Sequence, residues 1–349
     1  DGVKRNAIVS HVLAEHTRYL RNAQLQASFT KWVYNSYKDE NSLTILEKIH
    51  TLGYDVEKYY TDKVHSLITS KTYDEKVSYL DHALTLFPDA QLIIKDKLVC
   101  AQWYLDNNMN DKALAAAESI LHKCERASLV KAHALCNMAN AANAADVRVE
   151  LLNQAKGALK SYTGPESEVV ESCIKSGLTK AAEQYYVEGN HDKAYSILRT
   201  LAKDGEEQAA FIIAKYRLSE VLASNDKKAK YDLAVASIDE LLNLKVKSIK
   251  NNEDYQHLWD ERASLLIEQS KGLDDEAAVT VLEDLVRSID KASLDATVAK
   301  SLKGPALKEI IKRKYLISRN LELAGNLTEA SDLYREINSL EAKKVPTLS

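Results

Sequence analysis

The chain has 349 residues, with 51 acidic against 47 basic side chains, and its net charge of −4 excludes any general electrostatic drive onto nucleic acid or anionic lipid. Hydrophobic residues make up 45%, enough for a sizeable core, while ten Gly and four Pro leave little material for the turns of a strand-rich fold. Ala, Leu, Lys and Glu dominate, and all four are good helix formers, so the composition predicts an all-α protein.

Residues 3 to 38 contain no Gly or Pro, and Val9, Val12, Leu13, Leu20, Leu25, Phe29, Trp32 and Val33 predict one long helix, or two with a break near Asn22. A helix near 42–52 stops at Gly53. The stretches 55–69 and 73–86 form the first clear helical hairpin, followed by 91–106 with 110–123 and by 127–141 with 146–161. The Ala-rich run AHALCNMANAANAA in the last pair suits tight helix crossings. Gly164-Pro165 reads as a break, with Pro165 opening the next helix.

The most regular stretch is LTKAAEQYYVEGNHDKAYSILRTLA, from Leu178 to Ala202. Leu178, Ala181, Ala182, Tyr185 and Tyr186 fall at helical spacing. Gly189 then supplies the left-handed conformation that ends a helix, and Asn190 tolerates the turn. Ala194, Ile197, Leu198, Leu201 and Ala202 form one stripe on the second helix. Ala194 is small enough to let two backbones approach closely, so neighbouring hairpins must cover what each leaves exposed. Helices at 206–223 and 229–243 come next, then a polar segment at 245–254 predicted as a hinge. Helices near 254–270 and 275–290 precede a predicted break at Gly304-Pro305. Helices at 306–324 and 327–343 close the chain before a frayed Val345–Ser349.

The 178–202 hairpin resembles a tetratricopeptide (TPR) unit, whose pattern runs through a large residue, Leu-Gly or Ala, Tyr, a Gly-Asn-type turn, Ala, a large residue and Ala. Three other stretches resemble it. Tyr73, Leu80, Ala83, Leu84, Leu86 and Pro88 match the second-helix half, departing at Lys76 where the family has a small residue. Ala101, Tyr104, Ala113, Ile120 and Leu121 match around Asn108, which holds the glycine position. Leu321, Gly325, Asn326, Ala330 and Tyr334 match near the end, and Gly272 with Ala277 repeats only the turn-to-Ala step. Ala113, Ala194, Ala277 and Ala330 are unevenly spaced, and the first two gaps read as pairs of units of about 40 residues rather than the usual 34. The resemblance implies a right-handed α-solenoid of about eight to nine stacked antiparallel hairpins, one elongated array over 1–349 with a bend near 245–254.

The resemblance also implies a site. First helices of successive units line a groove that holds an extended peptide or a partner helix, and the matching positions here are Lys58, His65, Lys95, Gln102, Glu183, Tyr186, Lys312, Tyr315 and Arg319. The Lys and Asn pair that grips a terminal carboxylate in chaperone-tail receptors is replaced by Thr61 and His65, and by Leu98 and Gln102, so that subclass is disfavoured.

Catalytic and cofactor signatures are absent from the sequence. His11, Glu15 and His16 miss both HExxH and HxxEH by one residue, so no metal site is expected and ordinary surface or interface histidines are the plainer reading. There is no GxGxxG, GxxxxGK or GxSxG, so neither a phosphate cradle nor a nucleophile elbow is legible. Asn326-Leu327-Thr328 has the glycosylation spacing but is better read as turn chemistry. Cys100, Cys124, Cys136 and Cys173 lack CxxC spacing and read as reduced thiols, which points to the cytoplasm or nucleus. No window approaches an uninterrupted apolar run of about 18 residues, so no membrane span is expected. No secretory signal is legible, and a chain opening on Asp1 is open to being a piece of a longer protein.

Lys300, Lys303, Lys308, Lys312, Arg313 and Lys314 stand against Glu309 alone in KSLKGPALKEIIKRK. They form either a receptor for an acidic peptide or phosphate backbone, or a solvated helix face. Nucleic acid is disfavoured because no aromatic residues interleave the charge. The sequence thus predicts a non-catalytic scaffold or adaptor for protein partners within a larger complex, with no cofactor and no small-molecule substrate. The alternative is a helical-repeat regulatory segment of a larger kinase- or protease-associated enzyme whose catalytic part lies elsewhere.

Overall fold

The structure is a computed structural model describing residues 2–243, 253–292 and 294–344. The predicted hinge lies outside the described residues apart from 253 and 254, as do Lys245, Lys247, Lys250 and the Val345–Ser349 tail. Among the described residues there are eighteen helices and no strand. They are α1 (Gly2–Ala14), α2 (His16–Tyr19), α3 (Ala23–Ser36), α4 (Asn41–Thr51), α5 (Glu57–Ile68), α6 (Tyr73–Leu86), α7 (Gln91–Asp106), α8 (Asn110–Glu118) and α9 (Glu125–Ala141). After them come α10 (Ala145–Leu159), α11 (Ser167–Val187), α12 (His191–Lys203), α13 (Glu207–Ala223), α14 (Lys227–Leu242), α15 (Glu253–Ser270), α16 (Asp275–Lys291), α17 (Ala296–Leu323) and α18 (Leu327–Lys344). Consecutive helices pack against each other from α3 to α10 and from α12 to α18, so the fold is all-α and built by repetition. Two compact units divide the chain, Asp1–Ala181 and Ala182–Ser349, and the boundary falls inside α11.

In the first unit the predicted break near Asn22 is present. The Asn22 side chain accepts from the Leu25 N–H at 2.9 Å and caps α3. Thr72 and Glu75 form a reciprocal capping box that starts α6. Val33, Leu46, Ile49, Tyr60, Val64, Leu80 and Ile93 build one buried cluster, and Ala101, Ala113, Ala117, Ile120, Ala127 and Ala134 build the next. Alanine is the commonest residue of the second cluster, which lets its helices approach closely. α10 and α11 also approach closely, since a Cβ at Gly177 on α11 would meet a methyl of Leu152 on α10 at 2.8 Å.

The hairpin turns repeat one geometry. At Asn108 (φ 58°), Gly189 (φ 82°) and Gly325 (φ 86°) the backbone is left-handed. The next residue donates back to the helix each time: Met109 to Tyr104 at 2.9 Å, Asn190 to Tyr185 at 2.8 Å and Asn326 to Leu321 at 2.9 Å. Five residues beyond each turn residue a fully or nearly fully buried alanine follows, Ala113, Ala194 and Ala330. Gly205 (φ 89°) makes the same turn, from Glu206 back to Leu201, and Ala210 is buried five residues on. The sequence reading missed this copy because its spacing puts the turn between two hairpins.

Two expectations in the second unit are corrected. The turn at Gly272 is not left-handed, and the buried small residue beyond it is Ala278 rather than Ala277, whose N–H is instead capped by Asp274 at 2.8 Å. The predicted break at Gly304-Pro305 does not exist. α17 runs through it from an Asp295 cap. Pro305 is exposed, so its ring lies away from the core, and the carbonyl of exposed Ser301 that it leaves unpaired can bond water. Leu302, Ala306 and Ile310, all buried, hold the helix together on either side.

Candidate functional site

The groove positions implied by the resemblance fall in both units and are described within each. In the first, Lys58 and His65 are exposed on α5, and Lys95 and Gln102 are exposed on α7. His65 Nδ1 meets Asp96 Oδ2 at 2.6 Å, tying α5 to α7. Lys95, Val99 and Gln102 recur at helical spacing on one exposed face of α7, which continues to Asp106, the acceptor for Gln102 Nε2 at 2.8 Å. This row is mixed in character, with cation, aliphatic, amide and carboxylate in sequence. Thr61 is buried, so it could not contribute to a carboxylate clamp.

In the second unit, Glu183 is exposed while Tyr186 is committed to an aromatic cluster. Its ring stacks on Tyr216 of α13 (3.6 Å, 7°) and on His191 of α12 (4.5 Å, 21°). Glu220, nearly buried, bonds to His191 Nδ1 at 2.9 Å and accepts from Tyr195 Oη at 2.8 Å and Arg217 at 3.1 Å. The Arg217 guanidinium lies 3.8 Å over the Tyr195 ring. Burial, then the Glu220 bond, raises the Tyr195 pKa, so the phenol stays a donor. Tyr186 therefore packs α11 to α12 and α13. On α17, by contrast, Lys312, Tyr315 and Arg319 stand exposed on one face beside Leu316 and Leu323.

The basic stretch does not form one exposed cationic patch. Lys303 pairs with Asp290 at 2.5 Å, and Arg313 with Asp275 at 2.7 Å and Glu309 at 2.9 Å. Lys314 is buried between Glu283 at 2.7 Å and Glu336 at 2.6 Å. Burial alone would lower its pKa, yet the two carboxylates raise it. Lys312 lies 3.7 Å from Glu309. Lys300 and Lys308 are exposed. Apart from Glu309, the acids that neutralise the stretch come from α16 and α18, outside the reach of a local charge count.

The sequence reading also missed a cavity of about 360 Å³ between α6, α7 and α8. Its wall is apolar at Val77, Ala115 and Ala116 and polar at Asp74, Asp81, Lys97, Tyr104, Lys112 and Ser119. Lys97 is only 1% exposed and contacts the Asp81 carboxylate. Burial pushes its pKa down to about 8. Asp74, at the start of α6, accepts from Tyr104 Oη and from Lys112 Nζ at 2.7 Å. Next to it Tyr73 stacks on Trp103 at 3.9 Å. Every charge in the cavity has a partner, so the arrangement ties α6 to α7 and α8 rather than leaving a reactive group free. One signal existed in the sequence: Lys97 occupies a core position in the row Ile93, Ile94, Ala101, Tyr104.

His11 and His16 do not converge. His11 Nε2 meets Tyr19 Oη at 3.0 Å and His16 Nδ1 meets Tyr54 Oη at 2.9 Å. Among the described residues no three His, Cys, Asp or Glu side chains are grouped to hold a metal ion, and no helix is long and apolar enough to cross a membrane.

No family model matches the sequence, and no curated protein matches it. Solved structures are similar to it, two of which follow. One is Naa15/Naa10 bound to HypK-THB, at 16% identity and TM-score 0.26 over 97% of this chain and 64% of that one. The other is a circular tandem repeat protein with novel repeat topology and enhanced subunit contact surfaces, at 14% identity and TM-score 0.26 over 97% of this chain and 83% of that one. This chain thus spans less than two thirds of the first.

Proposed function

We propose that the chain is a non-catalytic interaction scaffold of the TPR type, which docks a peptide or helix of a partner protein along the exposed rows of its first helices. The observation that supports this most is the recurrence of one turn, left-handed at Asn108, Gly189 and Gly325, with a buried alanine five residues on. A fold built this way leaves first-helix faces free: Lys95, Val99 and Gln102 on α7, and Lys312, Tyr315 and Arg319 on α17. The mixed charge of these rows suits a partner segment with both apolar and charged side chains, and no nucleic acid, membrane or small-molecule substrate is part of the proposal. The proposal has the protein act in the cytoplasm or nucleus, a reading supported by four cysteines without CxxC spacing taken as reduced thiols.

The test is quantitative affinity capture with wild type, Lys95→Glu/Gln102→Ala and Tyr315→Ala/Arg319→Glu. Tyr186 is left intact because its stack holds three helices together. The expected result is unchanged circular dichroism with at least about tenfold loss of a specific partner from one variant, as removing even one or two interface anchors produces. Identical partner recovery by all three proteins would reject the groove assignment.

A further inference from the structure

In the first unit α9 and α11 bring two cysteine thiols together. Cys136, on α9, is 1% exposed and neighbours the thiol of Cys173, on α11, which is half-buried. Asn140, one helical turn beyond Cys136, donates its side-chain amide to Cys173 Sγ at 3.5 Å. The face of α9 that carries Cys136 and Asn140 therefore meets Cys173 on α11, and only one of the two thiols is open to solvent. Cys100, buried on α7, and Cys124, at the start of α9, have no thiol partner among the described contacts.

We propose that Cys136 and Cys173 form an oxidation site that takes a peroxide as its oxidant and closes to an intramolecular disulfide joining α9 to α11. The roles divide by environment. Burial raises the Cys136 pKa, with the Cys173 thiol adding to the effect, so Cys136 stays protonated and protected. Cys173 is the accessible sulfur, held in place by the Asn140 amide that donates to it. Its sulfur attacks one peroxide oxygen, the O–O bond breaks, and the leaving hydroxide takes the thiol proton as water. The resulting Cys173 sulfenic acid is then attacked by the Cys136 sulfur. An S–S bond forms, the S–O bond breaks, and the departing hydroxide leaves as water with the Cys136 proton. In total two thiols lose two electrons and two protons, and hydrogen peroxide becomes two waters.

The bridge would close a loop containing all of α10. Such a crosslink restricts the unfolded chain, and it also fixes α9 against α11.

The experiment treats the full chain with hydrogen peroxide, blocks remaining thiols and maps tryptic peptides by mass spectrometry. Cleavage at Lys131, Arg148, Lys160 and Lys175 puts the two cysteines on separate peptides. The expected product is those peptides joined and two hydrogens lighter than their sum, separating on reduction with dithiothreitol. Oxidised wild type should melt about 5 °C higher than the reduced protein. Cys124→Ser should retain the bridge. Cys173→Ser should abolish it and leave Cys136 in its thiol form under the same peroxide. Cys173 carried on to sulfinic acid without crosslinking would overturn the proposal, as would no oxidation of either residue or a bridge to Cys124 instead.

Discussion

Lys97 is the residue whose energetics depart furthest from its place in the sequence. A lysine carries its charge in water with a pKa near 10.5, and burial brings Lys97 to about 8. Keeping it charged in the fold therefore costs on the order of 2–3 kcal/mol at neutral pH. Lys97→Met removes that cost and leaves Asp81 half-exposed and hydrated, so it should stabilise the protein by about 1–2 kcal/mol at pH 7. The pH dependence gives a sharper check. Between about pH 8 and 10.5 the unfolded chain binds the Lys97 proton more tightly than the folded one. The Lys97 contribution to stability is thus fully present above 10.5 and lost as pH falls through 8. The advantage of Lys97→Met over wild type should shrink between pH 7 and 10 in urea titrations, and a difference constant with pH would contradict this account. A second residue-level test concerns register: Ala278→Leu overfills a closed site and should cost about 1–3 kcal/mol, whereas Ala277→Leu should cost under about 0.5 kcal/mol.

Among elements, α17 departs most from the sequence expectation. Gly-Pro is a strong local stop signal, but three buried residues flanking Pro305 outweigh it. Pro305→Ala restores a donor for the Ser301 carbonyl without removing packing, and should raise stability by about 1–3 kcal/mol in chemical denaturation. Most other helices were legible because period, cap and stop agreed: Thr72 with Glu75 before α6, or Gly189 after α11. What the sequence hid was assembled across helices. Ala278 takes the core position one residue late, because Asp274 caps α16 there and sets its phase. Tyr186 matched a groove position, yet its partners Tyr216 and Glu220 lie far along the chain. Lys314 read as part of a cationic face until Glu283 and Glu336 closed on it.

For the whole molecule, the boundary between the two units falls inside α11, where the helix runs on without Pro or a turn to mark it. Each unit has its own buried core and its own exposed first-helix row, so the proposed docking can be tested unit by unit. The most direct test is side-chain footprinting of the chain alone and with its captured partner. The account predicts protection at Lys95, Val99 and Gln102, or at Lys312, Tyr315 and Arg319, with the second helices α8 and α18 unchanged. Protection confined to α8 and α18, with both rows reacting as in the free chain, would contradict it.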